Sequence, residues 1–196
     1  MRIITGMYRG RKLETPDNYD IRPTSDKVRE SIFNLLMGRV EDAVVCDLFA
    51  GTGALGIEAL SRGAKRVYFG DHSRDAIRLL HGNIQKCGPE AEERSVVMAG
   101  DYRRTLGKLR EKADIFLLDP PYRAGLYENC LNLIDQLDLL ALEGIILAEH
   151  ESRETLPDEI GGLVKTKSRR YGKTTVDIYV RKAAEETAET AEGSDD

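Results

Sequence analysis

Leu117-Leu118-Asp119-Pro120-Pro121-Tyr122 closes an apolar run with an acid, two prolines and an aromatic ring. The prolines fix the backbone and bring no donor of their own, which leaves acceptors and an aromatic face. An Asp119 oxygen and the Pro120 carbonyl can accept both N–H bonds of a planar amine, while Tyr122 stacks on the ring that bears it. Such an amine is a poor nucleophile because its lone pair is delocalised into the ring. Acceptors on its N–H groups favour the nucleophilic form, and Asp119 or water takes the proton that is lost. A base amine reaches such a loop only if it is unpaired or flipped from its helix. The plain alternative is a rigid proline turn after a buried strand.

Upstream, Asp47-Leu-Phe49-Ala-Gly51-Thr-Gly53-Ala-Leu-Gly56 follows another apolar run. Gly51, Gly53 and Gly56 satisfy GxGxxG, which alone suggests a nicotinamide or flavin dinucleotide. Asp47 points elsewhere, because a carboxylate beside the loop repels a pyrophosphate and attracts a cation. S-adenosylmethionine carries a sulfonium and an ammonium and no phosphate. Asp71, ending the next strand, is placed to accept from ribose hydroxyls, a contact that either cofactor would use. Asp101, just past the third strand, can accept from an adenine amine. Phe49, His72 and Tyr102 stand next to these positions and complete the expected cofactor wall. Each acid alone also reads as a turn or a helix cap. Jointly, three acids at the carboxyl ends of three successive strands mark the crevice where open α/β sheets bind ligands.

The elements that must hold these residues alternate. Strands are predicted over 43–49, 66–70, 95–99, 115–118 and 144–149, and helices over 54–62, 74–86 and 127–140, with a short helical or irregular stretch after Asp101. Segments 162–171 and 174–181 read as a final antiparallel pair around Gly172-Lys173. The pattern is α/β, a mostly parallel sheet with helices on both faces. Before it, Arg2 to Thr5 and Gly10 to Glu14 read as a β-hairpin. Residues 17–25 form a turn-rich connector, and Ser25 or Asp26 caps a helix with Val28, Ile32, Phe33, Leu35 and Leu36 on its apolar face. The organisation expected is an extension over 1–38, covering the cofactor crevice or reaching toward RNA, a domain over 39–182 and a disordered acidic tail over 183–196.

The chain has 196 residues, 41% hydrophobic and 32% charged, enough for one well-buried domain. Its three cysteines form no CxxC pair, and its three histidines have no ligand spacing, so neither a disulfide framework nor a metal is expected. No signal peptide or membrane span is read, and a cytoplasmic location is the expectation. The net charge of −5 hides an asymmetry. Six acids and no base lie in the last fourteen residues, while 163–182 carries seven Lys or Arg against Asp177 alone. Arg9, Arg11, Lys12 and Arg22 form a second basic group, expected to hold phosphate, although basic segments are more often solvated surface.

Residues 44–60 (VVCDLFAGTGALGIEAL) and Asp119 to Tyr122 resemble class I amino methyltransferases of the (N/D)PP(Y/F) type. Arg22-Pro-Thr-Ser-Asp26-Lys-Val-Arg29-Glu30 narrows this, with the opening Arg2-Ile-Ile-Thr-Gly6…Gly10-Arg-Lys-Leu and Arg170-Tyr171-Gly172-Lys-Thr174. Together they resemble bacterial enzymes that methylate the exocyclic N2 of a guanine in 16S ribosomal RNA, over residues 1 to about 182. The resemblance implies a Rossmann-like, seven-stranded methyltransferase sheet and monomeric action on the assembling small subunit. It also implies S-adenosyl-L-methionine as cofactor and S-adenosyl-L-homocysteine as product. Asp47, Gly51 and Gly53 would line the methionine end, Asp71 the ribose and Asp101 the adenine; Asp119 to Tyr122 would hold the guanine. Gly70-Asp71-His72 departs from the family's Val-Glu-Lys. Three other readings stay open at this stage: an adenine-N6 or cytosine-N4 DNA methyltransferase, a nicotinamide-dependent oxidoreductase, and a non-catalytic RNA-binding protein.

Overall fold

The computed structural model describes residues 1–16, 25–121 and 125–183. Its centre is an eight-stranded sheet in the order β3-β2-β1-β4-β5-β8-β7-β6. Strands β1 (Val44–Asp47), β2 (Arg66–Asp71), β3 (Ser95–Ala99), β4 (Ala113–Leu118) and β5 (Leu140–Glu151) run parallel. β8 (Thr174–Arg181) and β7 (Leu163–Tyr171) add antiparallel, with the two-residue β6 (Glu159–Ile160) at the edge. All four residues of β1 are buried, as expected of a parallel strand covered on both faces.

Alternation along the strands sorts two apolar layers. Val45, Val67, Phe69, Ile115, Leu117, Ile145 and Leu147 face α1 (Asp26–Leu35), α2 (Ala54–Ser61) and α3 (Arg74–Gln85). Val44, Cys46, Phe116, Leu118, Ile146 and Ala148 face α5 (Tyr102–Leu106) and α6 (Leu126–Gln136). A short α4 (Pro89–Glu93) precedes β3. The helices start where the sequence signals say: Ser25 Oγ accepts from Val28 N, and Ser73 Oγ from Ala76 N.

The amino-terminal residues share this core, since Ile3, Tyr8, Leu13, Val28, Ile32, Phe33 and Leu36 join the first layer. The expected hairpin reduces to a single bridge, Arg2 to Lys12. Its turn is stitched to α2 rather than to a partner strand: Glu58 accepts from Ile4 N and Thr5 N, and Ser61 accepts from Met7 N and Tyr8 N. The buried Arg29 guanidinium donates to the Arg2 carbonyl and to Asp26, which ties α1 to the same segment. The connector at 17–24 and the tail from 184 lie outside the described residues.

Four local expectations are corrected. α6 stops at Gln136 rather than Leu140, because Asp138 takes a left-handed φ of 51° and Leu139 turns back to accept from Ala113 N. β5 is twelve residues rather than six, lengthened on both sides and paired to β8 as far as Glu151. α4 was not anticipated, and β6 raises the strand count from seven to eight. No helix among the described residues is long and apolar enough to cross a membrane.

Candidate active site

The site lies at the carboxyl ends of β2, β1, β4 and β5. After β1 the chain enters the glycine loop, where Gly53 adopts a φ of 82° as the residue capping α2. A Cβ on Gly53 would lie 2.4 Å from Leu80 Cδ1, and one on Gly56 would lie 2.2 Å from Phe69 Cε1. Gly53 therefore answers a backbone demand and Gly56 a packing demand of helix on strand.

Two carboxylates hold this loop. Asp47 is buried and accepts from Gly56 N at 2.9 Å. Asp71 accepts from Gly51 N at 2.9 Å and from Ser73 N at 2.8 Å. The ribose contact expected of Asp71 must therefore share oxygens already committed to backbone donors, each of which retains a lone pair. His72 is exposed, with its Nδ1 3.8 Å from Asp71. Burial pushes the Asp47 carboxyl up to about 7; the Gly56 N–H opposes this, and the nearby charges of Asp119 and Asp71 add to it. Those three acids thus share one electrostatic environment, an excess of negative charge that suits a cation and opposes a pyrophosphate.

Asp101 caps α5, accepting from Arg104 N at 2.9 Å, and is exposed. The cap reading that competed for this residue is realised, with its second oxygen 3.7 Å from Arg103. Phe49 and the buried Tyr102 lie with ring centroids 6.4 Å apart, and the Arg103 guanidinium lies over Tyr102. Asp119 is half-buried, Pro120 buried and Pro121 exposed. Tyr122, expected to stack on the base, and Arg22, expected to hold phosphate, lie outside the described residues.

Two partners escaped the sequence reading. Glu149, buried at the carboxyl end of β5, stands beside Asp119 because Leu118 pairs with Ala148. Its signal was available: an acid ending a strand is the same pattern that selected Asp47 and Asp71. Asn83 of α3 donates to the Thr52 carbonyl of the glycine loop at 2.9 Å and exchanges hydrogen bonds with Glu14. No local signal marks a mid-helix Asn for that brace.

On the other face of the same edge, His150 and Asp177 are both buried, with Nε2 3.1 Å from Oδ2. The His150 Nδ1 faces the Glu151 carbonyl at 2.9 Å, so the ring lies between that carbonyl and the Asp177 carboxylate, a setting that favours its charged form. Burial alone would lower its pKa, but Asp177 and that carbonyl outweigh it and raise it. For Asp177 burial works upward, and His150 and Ser168 outweigh it downward. The three thiols, Cys46, Cys87 and Cys130, are buried and unbridged, and burial raises the pKa of each.

The basic amino-terminal turn sits elsewhere. Tyr8 reaches Arg94, which donates to the Leu60 and Ala64 carbonyls at the amino ends of the strands. Arg11 spends its guanidinium on the Lys86 carbonyl and the Tyr8 ring. Arg9 and Lys12 are exposed on the same segment. The described part of the extension packs on α2, and its far end reaches the glycine loop through Glu14 and Asn83.

A family described as "Conserved hypothetical protein 95" matches residues 1–180. Ribosomal RNA small subunit methyltransferase D of Escherichia coli (strain K12) is 36% identical, over 95% of this chain and 93% of its own length. The protein of the same name from Haemophilus influenzae is 35% identical over 80% of this chain and 81% of its own. Among solved structures, yhhF from Escherichia coli superposes with a TM-score of 0.82 at 34% identity, covering 92% of this chain and 97% of that one. With the glycine loop and the Asp-Pro-Pro turn placed on one edge of a mostly parallel sheet that ends in an antiparallel pair, the chain has the class I methyltransferase fold and belongs to the Conserved hypothetical protein 95 family.

Proposed function

We propose that this chain methylates the exocyclic N2 of a guanine in 16S ribosomal RNA, acting as a monomer on the assembling small subunit in the cytoplasm. The observation that carries the reading is the convergence of Asp47, Asp71 and Asp119 at one strand edge, where their mutual repulsion calls for a cationic ligand. Two relatives that share about a third of its residues are named as small-subunit ribosomal RNA methyltransferases.

S-adenosylmethionine would supply an electrophilic methyl group, and the rest is positioning by the chain. Asp47, with Gly51 and Gly53, would hold the methionine end; Asp71 and His72 the ribose; and Asp101, Tyr102 and Phe49 the adenine. Asp119 and the Pro120 carbonyl would accept the two N–H bonds of the flipped base, and Tyr122 would stack on its ring. Pro121 keeps the turn rigid. Asp119 or a water then takes the proton. Arg9, Arg11, Lys12 and Arg22 would give a peripheral phosphate contact. Reversing the charge of Arg9, Arg11 and Lys12 should weaken RNA binding and its salt dependence, and unchanged values would remove them from the interface.

The deciding experiment is tritiated methyl transfer to ribosomal RNA from cells lacking the enzyme, followed by nucleoside analysis. N2-methylguanine is expected, and methyladenine would overturn the substrate. Calorimetry with S-adenosylhomocysteine and with NAD tests the cofactor separately; binding of NAD alone would sink the reading.

A further inference from the structure

We propose that the carboxyl-edge half of the β7–β8 hairpin is the surface along which the RNA backbone beside the target base runs. It carries Lys167, Arg169, Arg170 and Lys173, with Arg153 on the adjoining turn. The inference rests on the function proposed above and adds the path of the substrate.

The hairpin divides its cations by position. From its middle toward the amino edge they are neutralised: Lys165 by Asp158 at 3.0 Å and Asp177 at 3.5 Å, Lys182 by Glu159 at 2.7 Å, and Arg181 by Asp138. Toward the carboxyl edge, Lys167, Arg169, Arg170, Lys173 and Arg153 are exposed and have no ion-pair partner among the described residues. Arg169 donates to the Ser168 carbonyl and Arg170 to the Gly172 carbonyl, which orients the guanidinium groups without cancelling their charge. The neighbouring carboxylates are Glu151 and Glu154, on the turn that carries Arg153, and the buried Asp177, opposite Ser168 and already beside His150 and Lys165. Cations outnumber them five to three.

Register then ties this cluster to the site. Leu118 pairs with Ala148, which brings Asp119 level with Glu149; Glu149 pairs with Val176, and Val176 with Arg169. Asp119 and Arg169 therefore stand on one transverse row, three strand spacings or about 14 Å apart. Members of such a row share a face. Lys167, opposite Ile178, is the next residue of β7 on that face. A base held at Asp119 thus brings the phosphates of neighbouring nucleotides toward the Arg169 guanidinium, whose planar donors match phosphate oxygens, while Arg170, opposite Thr175, lies on the other face of the hairpin at its rim. Bound RNA replaces the counterions of this patch, a contribution that falls as salt rises.

The test is the triple variant Lys167→Ala, Arg169→Ala, Lys173→Ala in the full chain, assayed on naked small-subunit ribosomal RNA and on subunits from cells lacking the enzyme. The expected result on both substrates is a KM for RNA raised about tenfold or more, with kcat within about threefold. The slope of log affinity against log salt should fall by about 2 to 3, near 0.7–0.9 per phosphate contact. Affinity for S-adenosylhomocysteine and the thermal midpoint should match the wild type, which separates lost contacts from lost folding. An unchanged KM and salt slope would overturn the proposal and leave the methyltransferase reading intact. A wild type that methylates no RNA would overturn both. A loss confined to assembled subunits would assign the patch to a protein partner and overturn the RNA path.

Discussion

The two ends of the strands treat charge differently. At the amino edge, ions are matched: Glu58 serves two backbone donors and Arg62, Arg66 meets Glu111, and Asp138 lies between Lys112 and Arg181. At the carboxyl edge, on the face of Asp119, burial drives Asp47 toward neutrality and the charges of Asp119 and Asp71 add to it, while the hairpin cations beside them have no ion-pair partner among the described residues. A matched ion pair in a surface position contributes little and needs nothing further. A buried carboxylate in a crevice costs stability, and strongly shifted acids of this kind cluster at functional sites. The charges, acidic in the crevice and basic beside it, have the signs that the proposed cationic cofactor and RNA backbone require.

This contrast can be broken in four places. The largest effect belongs to Asp119→Ala: methyl transfer should fall by about a hundredfold or more, with affinity for S-adenosylhomocysteine changing far less. Full turnover would remove Asp119 from the chemistry. Next is the matched pair on the opposite face, where Asp177→Ala leaves a buried imidazolium alone and should cost about 3 kcal/mol in urea unfolding at pH 6. The sign follows from the shifts. The raised His150 value gives stability present at low pH and lost as pH rises through it; the lowered Asp177 value gives stability lost as pH falls through it. The gap between wild type and variant should therefore narrow above neutrality, and a gap that widens there would refute the ionic pair.

Third, Asp47 should make the ligand-free protein less stable as pH rises toward 8. A carboxyl raised to about 7 contributes stability when protonated and loses it as pH climbs through that value. Asp47→Asn, whose amide oxygen can still accept from Gly56 N, should abolish this decline. By the same linkage a cationic cofactor should bind the wild type more tightly above pH 7 and release a proton, read by calorimetry in two buffers of different ionisation enthalpy. Absence of proton release would separate Asp47 from the cofactor. Smallest is Lys182→Ala, at the matched end of the hairpin: RNA KM and denaturant midpoint should stay at wild-type values. A KM rise equal to that of Lys173→Ala would erase the distinction between the two ends.

Much of this arrangement is legible in the chain. Apolar runs such as VVCD and ADIFLL have one available role, strands buried on both faces, and the acids that end them fall into the crevice by topology alone. Boundaries were harder. Leu139 and Leu140 continue the helical period of α6, and only the left-handed Asp138 breaks it. α4 was missed for its length, though Pro89 at its start and Glu90 and Glu92 in its first turn are ordinary helix-opening signals. The amino-terminal turn alternates like a hairpin, yet Glu58 and Ser61, more than fifty residues away in sequence, decide what it bonds to. The loop-holding duty of Asp71 is likewise invisible in sequence, because a carboxylate that steadies a loop and one placed for a ligand have the same letter and spacing.

The buried thiols have a practical consequence. Cys46, Cys87 and Cys130 are the chain's full set, all out of solvent and all held as thiols rather than thiolates, so alkylating reagents should pass them by in the native state. A cysteine installed at Lys173 would then be the one reactive handle on the molecule. A photo-crosslinker attached there would record which nucleotides pass the hairpin, without any native cysteine having to be removed first.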